Sequence, residues 1–239
     1  MDSVSLRFAR VVQNVQYALK SSGREQDSVT IVGVTKALPF QMAVAGVQNG
    51  ILDLGESRVQ EASTKISAVK ELLREYNVDI SKLTWHMIGK LQSNKAAKAA
   101  RLFDVVHSIE TLKVAEILSR TALDEGKKLR LFIEVNTSDE IQKGGIRVAS
   151  IADFVAEMIG LDNVHIEGLM TIGRKSDDEA EIRKSFRILR EANEKISALY
   201  EKSQYGRQLS MGMSGDYPLA IQEGATMIRV GSGIFGPRP

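Results

Sequence analysis

The sequence predicts an α/β fold, a single (β/α)8 TIM barrel with an additional N-terminal helix. Three observations carry this. Eight short apolar segments rich in β-branched residues read as strands, amphipathic helical periodicity fills the intervals between them, and glycines and small polar residues collect at the strands' carboxyl ends. Regular alternation of this kind calls for a parallel sheet covered by helices, and eight units in 239 residues suit one closed barrel. A doubly wound open sheet is the alternative. No Pro/Gly/Ser-rich linker, composition shift or low-complexity stretch interrupts the chain, so residues 1–239 are read as one domain.

Residues 3–22 form the extra helix, with Leu6, Val11, Val15 and Leu19 on an apolar stripe and Gly23 as its stop. It is expected to cover the barrel beside the last strand. The first strand is 29–36, Val-Thr-Ile-Val-Gly-Val-Thr-Lys, halted by Pro39, which has no N–H to give to a ladder. Phe40–Gln48 is helical and ends at Asn49-Gly50; Ile51–Leu54 is the second strand, closed by Gly55-Glu56-Ser57, with Ser57 capping a helix from Arg58 to Tyr76. Strand 84–88, helix 94–101, strand 102–107 and helix 111–125 follow, the last stopped by Gly126. Strand 129–135 leads to a polar loop at 136–145, where Gly144-Gly145 after Asp139-Glu140 reads as mobile. Helix 150–159, strand 164–170, a long charged helix 177–201, strand 208–211, a short helix 217–223 and strand 226–230 complete the count.

Composition narrows the function classes. A net charge of +2, from 32 Lys+Arg against 30 Asp+Glu, is not the basic balance of a dedicated nucleic-acid binder. The absence of cysteine excludes disulfides, thiolate metal sites and cysteine nucleophiles. No apolar run reaches membrane-spanning length and no signal-peptide core opens the chain, so a cytoplasmic location is expected.

The chemistry concentrates at strand ends. Alternation places Val32, Val34 and Lys36 on one face, so Lys36 points where two core valines point. A lysine drawn into an apolar setting is the kind that forms a Schiff base; the plainer reading is an amine that snorkels to water. Ser210–Asp216 follows the seventh strand and Arg229–Gly236 the eighth, both dense in glycine and serine. In barrels these two loops are the usual phosphate site, and small residues let backbone N–H groups approach an anion. A strand-end lysine and a phosphate cradle on one barrel face suggest pyridoxal 5′-phosphate. Arg229 is placed to point at the pyridine nitrogen, with a structural ion pair as the alternative. His86, His107 and His165 show no metal-ligand spacing. Glu56 and Glu61 read as charges favourable to a helix start, Lys95, Lys98 and Arg101 as a solvated face, and Trp85 and the methionines as core.

The motifs V-G-V-T-K-A-L-P around Lys36, G-E-S-R-V-Q-E at 55–61, W-H-M-I-G-K-L-Q-S-N-K at 85–95, V-N-T-S-D-E-I-Q-K-G-G at 135–145, G-L-M-T-I-G at 168–173, L-S-M-G-M-S-G-D at 209–216 and R-V-G-S-G-I-F-G at 229–236 occur in this order. By them the chain resembles the pyridoxal phosphate homeostasis protein family (YggS/PROSC type), whose barrel is similar to the N-terminal domain of alanine racemase. The resemblance implies pyridoxal phosphate as cofactor on Lys36, phosphate contacts from Ser214, Gly231 and Ser232, a ring-nitrogen contact from Arg229, and Met213 and Ser57 beside the ligand. The family usually carries asparagine where this chain has Ser57, which leaves a shorter contact there or none. The implied role is intracellular homeostasis of pyridoxal phosphate, vitamin B6 and amino acids by a monomer without catalytic turnover, with no nucleic-acid or membrane partner. Two rivals remain: an amino-acid racemase of the alanine racemase type, and a Schiff-base aldolase without cofactor. A racemase needs a second base opposite Lys36; those relatives take it from an added β domain and a partner subunit, and no such domain is expected after Gly236.

Overall fold

The structure is a computed structural model that describes residues 3–138, 140 and 144–237. Among the described residues nine parallel strands form the sheet: β1 (Thr30–Val34), β2 (Asp53–Glu56), β3 (Thr84–Met87), β4 (Val105–Ile109), β5 (Leu129–Asn136), β6 (Ile146–Arg147), β7 (Val164–Met170), β8 (Tyr205–Met213) and β9 (Met227–Val230). Their order is β4-β3-β2-β1-β9-β8-β7-β5, and β4 also pairs with β5, with Val106 opposite Leu131. That last pairing closes eight strands into a barrel and removes the open-sheet alternative. The short β6 hangs on β5, with Val135 opposite Ile146.

Helices α1 (Val4–Ser21), α2 (Phe40–Gln48), α3 (Val59–Glu75), α4 (Ser93–Leu102), α5 (Leu112–Asp124), α6 (Ile151–Met158), α7 (Glu179–Ser197), α8 (Tyr217–Gln222) and α9 (Ser232–Phe235) wrap the barrel. Their apolar faces and the outward strand residues form one large core that includes Trp85, Phe103, Leu118, Phe186 and Ile228. A second, smaller cluster of Val32, Val105, Phe132, Met170 and Met227 fills part of the barrel interior. The extra helix lies where the sequence places it, against α8 and α9. Asn14 Nδ2 donates to the Tyr217 hydroxyl at 2.9 Å, and Gln222 Nε2 donates to Ser21 Oγ at 3.0 Å.

Several boundaries differ from the sequence reading, each for a local reason. β2 is Asp53–Glu56 rather than Ile51–Leu54. The Ile51 N–H closes the end of α2 on the Gly46 carbonyl at 3.1 Å and so is not available to the ladder. β4 starts at Val105 because Leu102 still belongs to α4, whose last turn the Phe103 N–H closes on Ala99. Arg58, not Ser57, occupies the N-cap of α3, and no side-chain bond caps that helix. Asp178 caps α7 by accepting from the Ala180 N–H at 2.9 Å, which trims the long helix at its start. The Gly145 N–H donates to Glu110 Oε2 at 2.9 Å, just before β6. Asp139 and residues 141–143 lie outside the described residues.

Candidate functional site

All strands run the same way, so their carboxyl ends share one mouth. There a cleft of about 360 Å³ is lined by Val34, Lys36, Ile88, Ile172, Met213, Ser214, Gly215, Arg229, Gly231 and Ser232. Six of the seven sequence-derived candidates meet in it. The seventh, Ser57, lines an adjoining cavity with Arg58, Lys90 and Lys95. Gly89 explains that placement. A Cβ there would overlap the Ser57 backbone, so the β3–α4 loop touches the β2–α3 loop only because residue 89 is glycine.

Lys36 follows β1 at a tight corner. The Thr35 N–H continues the ladder to the Gly55 carbonyl at 3.0 Å, and Ala37 turns the chain with a φ of 58°. A left-handed alanine is costly, so the corner needs outside support. The support is a buried ion cluster. Lys65 Nζ, on α3, donates to the Thr35 carbonyl and to Glu56 Oε1, both at 2.7 Å, and to Glu61 Oε1 at 2.8 Å. Every ammonium hydrogen is therefore used. Thr35 Oγ1 donates to Glu56 Oε1 at 2.7 Å, and the Ala37 N–H donates to Glu61 Oε1 at 2.6 Å. Both neighbours of Lys36 are thus clamped. Burial pushes the Glu56 carboxyl up against the opposing pull of Lys65 and Thr35. Partial burial also works on Glu61, but the bonds from Lys65 and the Ala37 N–H hold it below its ordinary range. Glu56 is thus a strand-end residue wholly buried behind Lys36, not a helix-start charge.

The opposite wall comes from β8 and β9. Ser214 Oγ accepts from the N–H groups of Gly231 and Gly233, both at 3.2 Å. With its lone pairs taken, that hydroxyl turns its proton elsewhere as a donor. The β8 end is shaped by Gly212, whose φ of 93° and close approach to Ala220 exclude a side chain. The Met213 N–H is fixed by Asp216 Oδ1 at 2.6 Å, and burial raises the Asp216 carboxyl.

Arg229 forms the floor. Only 5% exposed, it donates from Nη1 to Ser210 Oγ at 2.7 Å and from Nη2 to the Thr171 carbonyl at 2.9 Å. It makes no salt bridge among the described residues, although the charges of Glu134 and Asp216 act on it from further off. Burial pushes its pKa down to about 10, which leaves it protonated at neutral pH. Its side chain is part of the cleft lining. Beside this floor, Glu134 opens into a smaller cavity with Thr137, Thr171 and Ile172. Burial, and then the nearby charge of Glu110, push its carboxyl up to about 7. Glu110 itself takes Lys90 Nζ at 2.6 Å across the rim.

An amine at one wall, the Ser214 and Ser232 hydroxyls on a glycine-rich turn at the other and a fixed guanidinium between them suit a ligand that carries an aldehyde, a phosphate and a ring nitrogen. Sequence reasoning missed Lys65, which stands on an ordinary helix at a position that reads as solvent-facing. It also missed how His86 and His107, taken singly, are joined: His86 Nδ1 lies 2.9 Å from His107 Nε2 across adjacent strands.

The closed barrel, with a lysine at the end of β1 and small-residue loops after β8 and β9, defines the alanine racemase N-terminal-domain class. That family matches residues 7–239. Solved alanine racemases share the fold: that of Clostridium difficile is 15% identical with a TM-score of 0.69, covering 100% of this chain and 58% of its own. More specifically, the chain belongs to the pyridoxal phosphate homeostasis protein family (YggS/PROSC type). It is 33% identical to the protein of that name from Vibrio alginolyticus over 100% of this chain and 99% of the other. It is 32% identical to that of Escherichia coli strain K12, over 100% and 98%. Among solved structures, PipY of Synechococcus elongatus with PLP bound is 32% identical, with a TM-score of 0.83 over 98% of this chain and 100% of the other.

Proposed function

We propose that this chain binds pyridoxal 5′-phosphate through a Schiff base at Lys36 and stores or delivers it, acting in cofactor (vitamin B6) and amino-acid homeostasis rather than as a catalyst. The observation that carries this is the convergence of Lys36, Arg229, Ser214, Gly231 and Ser232 on one cleft. The relative solved with PLP bound supports it. Lys36 would hold the aldehyde carbon, Ser214, Gly231 and Ser232 the phosphate, and Arg229 the ring nitrogen, while Met213 covers the ligand and Ser57 stands outside its immediate shell. When bound, pyridoxal phosphate supplies a carbonyl that condenses with amines. A permanently charged arginine at the ring nitrogen donates without surrendering a proton, so the ring remains a weak electron sink. Among the described residues that line the cleft, Lys36 is the one lysine, histidine, tyrosine or carboxylate, and a racemase needs two bases. The protein is taken to work as a cytoplasmic monomer, residues 1–239 acting as one binding domain. No helix among the described residues is long and apolar enough to cross a membrane.

The test is Lys36→Ala. The parent, incubated with pyridoxal phosphate and reduced with borohydride, should carry the label on the Lys36 peptide and show no alanine racemisation above a cofactor-only control. The variant should lose the label and the visible band yet keep weak, phosphate-competed binding. Labelling of another lysine such as Lys90, or saturable racemisation abolished by Lys36→Ala, overturns the reading.

A further inference from the structure

Polar residues line the barrel interior in an unbroken series. Asp53, at the amino-terminal end of β2, is 29% exposed at its side chain; its Oδ1 lies 2.9 Å from His86 Nε2. His86 Nδ1 lies 2.9 Å from His107 Nε2, and His107 Nδ1 lies 2.9 Å from Ser210 Oγ, on the far side of the barrel. Ser210 Oγ in turn accepts from Arg229 Nη1 at 2.7 Å. The series starts at the face opposite the cleft and ends on the cleft floor. Both imidazoles are fully buried, and His107 is stacked on Phe132 with ring centroids 4.7 Å apart.

Donor and acceptor chemistry gives the series one direction. A guanidinium only donates, so Ser210 Oγ accepts at that end. A carboxylate only accepts, so His86 Nε2 carries the proton at the other. Burial holds both imidazoles below their ordinary pKa, His107 well below, and keeps them neutral. A neutral His86 protonated on Nε2 offers Nδ1 as an acceptor, so His107 donates from Nε2. His107 Nδ1 must then accept, and the Ser210 hydroxyl supplies that proton. Every bond points from Arg229 towards Asp53. The opposite orientation would set a bare His86 Nε2 against a carboxylate.

We infer that Asp53, His86, His107 and Ser210 form a one-way hydrogen-bonded relay through the barrel that positions and polarises Arg229. They are positioning residues for the ring end of the ligand, controlled from the face opposite the cleft. Bonds aligned head to tail strengthen one another in a low-dielectric interior, so the carboxylate makes Ser210 Oγ a better acceptor than an isolated serine. This rests on the proposed contact between Arg229 and the ring nitrogen, and the test keeps the two apart.

Side-chain ¹⁵N NMR of the ligand-free protein, which has 3 histidines in all, should find His86 and His107 neutral and both protonated on Nε2. Separately, Asp53→Asn and Ser210→Ala are titrated with pyridoxal phosphate. Each should move the visible band of the bound ligand and weaken binding about three- to tenfold, the scale of one hydrogen bond, and Ser210→Thr should restore both. An imidazolium or an Nδ1–H tautomer at either histidine overturns the relay. So do parental bands and affinities in both variants. Asp53 lies at the barrel's partly exposed end, so its variant decides the matter if Ser210→Ala does not fold. A parent that never forms the band would overturn the functional reading, and the tautomers would still judge the relay.

Discussion

The two walls of the cleft hold their residues by opposite means. On the β1 wall, one lysine is oriented by a buried group of full charges, Glu56, Lys65 and Glu61, gripping the backbone on either side of it. In the loops that follow β8 and β9, no residue that lines the cleft is charged; Ser214 is set by two backbone N–H groups of a glycine-rich turn. The difference follows from what each wall must do. Under the proposed function, the amine that forms a covalent bond needs one direction of approach, which a charged clamp would enforce. An anion can be met by several donors at once, so short neutral groups that let the backbone come close serve better.

The sharpest way to break this contrast is Lys65→Met. It leaves Glu56 and Glu61 without their cation, and a buried pair broken on one side costs about 3–5 kcal/mol. Urea unfolding should show a loss of that size, smaller at acid pH, where Glu56 takes up a proton. A loss under about 1 kcal/mol would mean that the clamp does not hold the corner. On the other wall, Ser214→Ala with Ser232→Ala removes bonds worth about 1.5–3 kcal/mol each to a charged group, not strictly additive. Calorimetry should show pyridoxal phosphate binding weakened more than tenfold and pyridoxal binding much less. Equal weakening of both ligands would place the phosphate elsewhere.

Between the walls stands Glu134. Its folded pKa of about 7 exceeds the ordinary 4.5. Between those values the native state keeps a proton that the unfolded state has released, so stability falls as pH rises through this window and stays lower above it. Glutamine has no proton to lose. Glu134→Gln should therefore flatten the slope between about pH 4.5 and 7, with a gain of up to roughly 3 kcal/mol at pH 8 and none near pH 4. An unchanged slope would assign the titration to another group. The smallest effect is a control away from both walls: Asn14→Ala, which loses the bond to the Tyr217 hydroxyl. It should cost about 1 kcal/mol in urea and leave the ligand band unmoved.

What was legible in the sequence follows the range of the interactions. β-branched runs broken by proline and glycine marked the strands, because that signal is local. Lys36 and the serine-glycine loops were readable as a pair once a barrel was assumed, since a barrel sends all strand ends to one face. Lys65 was not readable, because its value lies in three acceptors brought from the β1 corner, β2 and its own helix. His86 and His107 each passed for isolated polar residues, and Ser210 was counted with the glycine-serine loop although it lies within β8 and meets Arg229. Only strand register, with Gly55 opposite His86 and His86 opposite Val105, shows which side chains meet inside. β2 slid towards its polar end for the same reason: Glu56 is tolerable in a strand only with partners that local sequence does not reveal.

The helix at the amino terminus has a consequence for the order in which this molecule comes into being. α1 is made first, yet it rests on α8 and α9, and its bond from Asn14 to Tyr217 spans 203 positions. Contacts so distant along the chain are slow to form, because a long loop must close before they repay it. The proposed anion cradle sits on those same closing segments, between Ser214 and Ser232. On the proposed function, a growing or refolding chain would acquire its ligand grip at the moment the ring of strands shuts. Uptake of the ligand would report a finished barrel, and half-made copies would leave a scarce reactive aldehyde untouched.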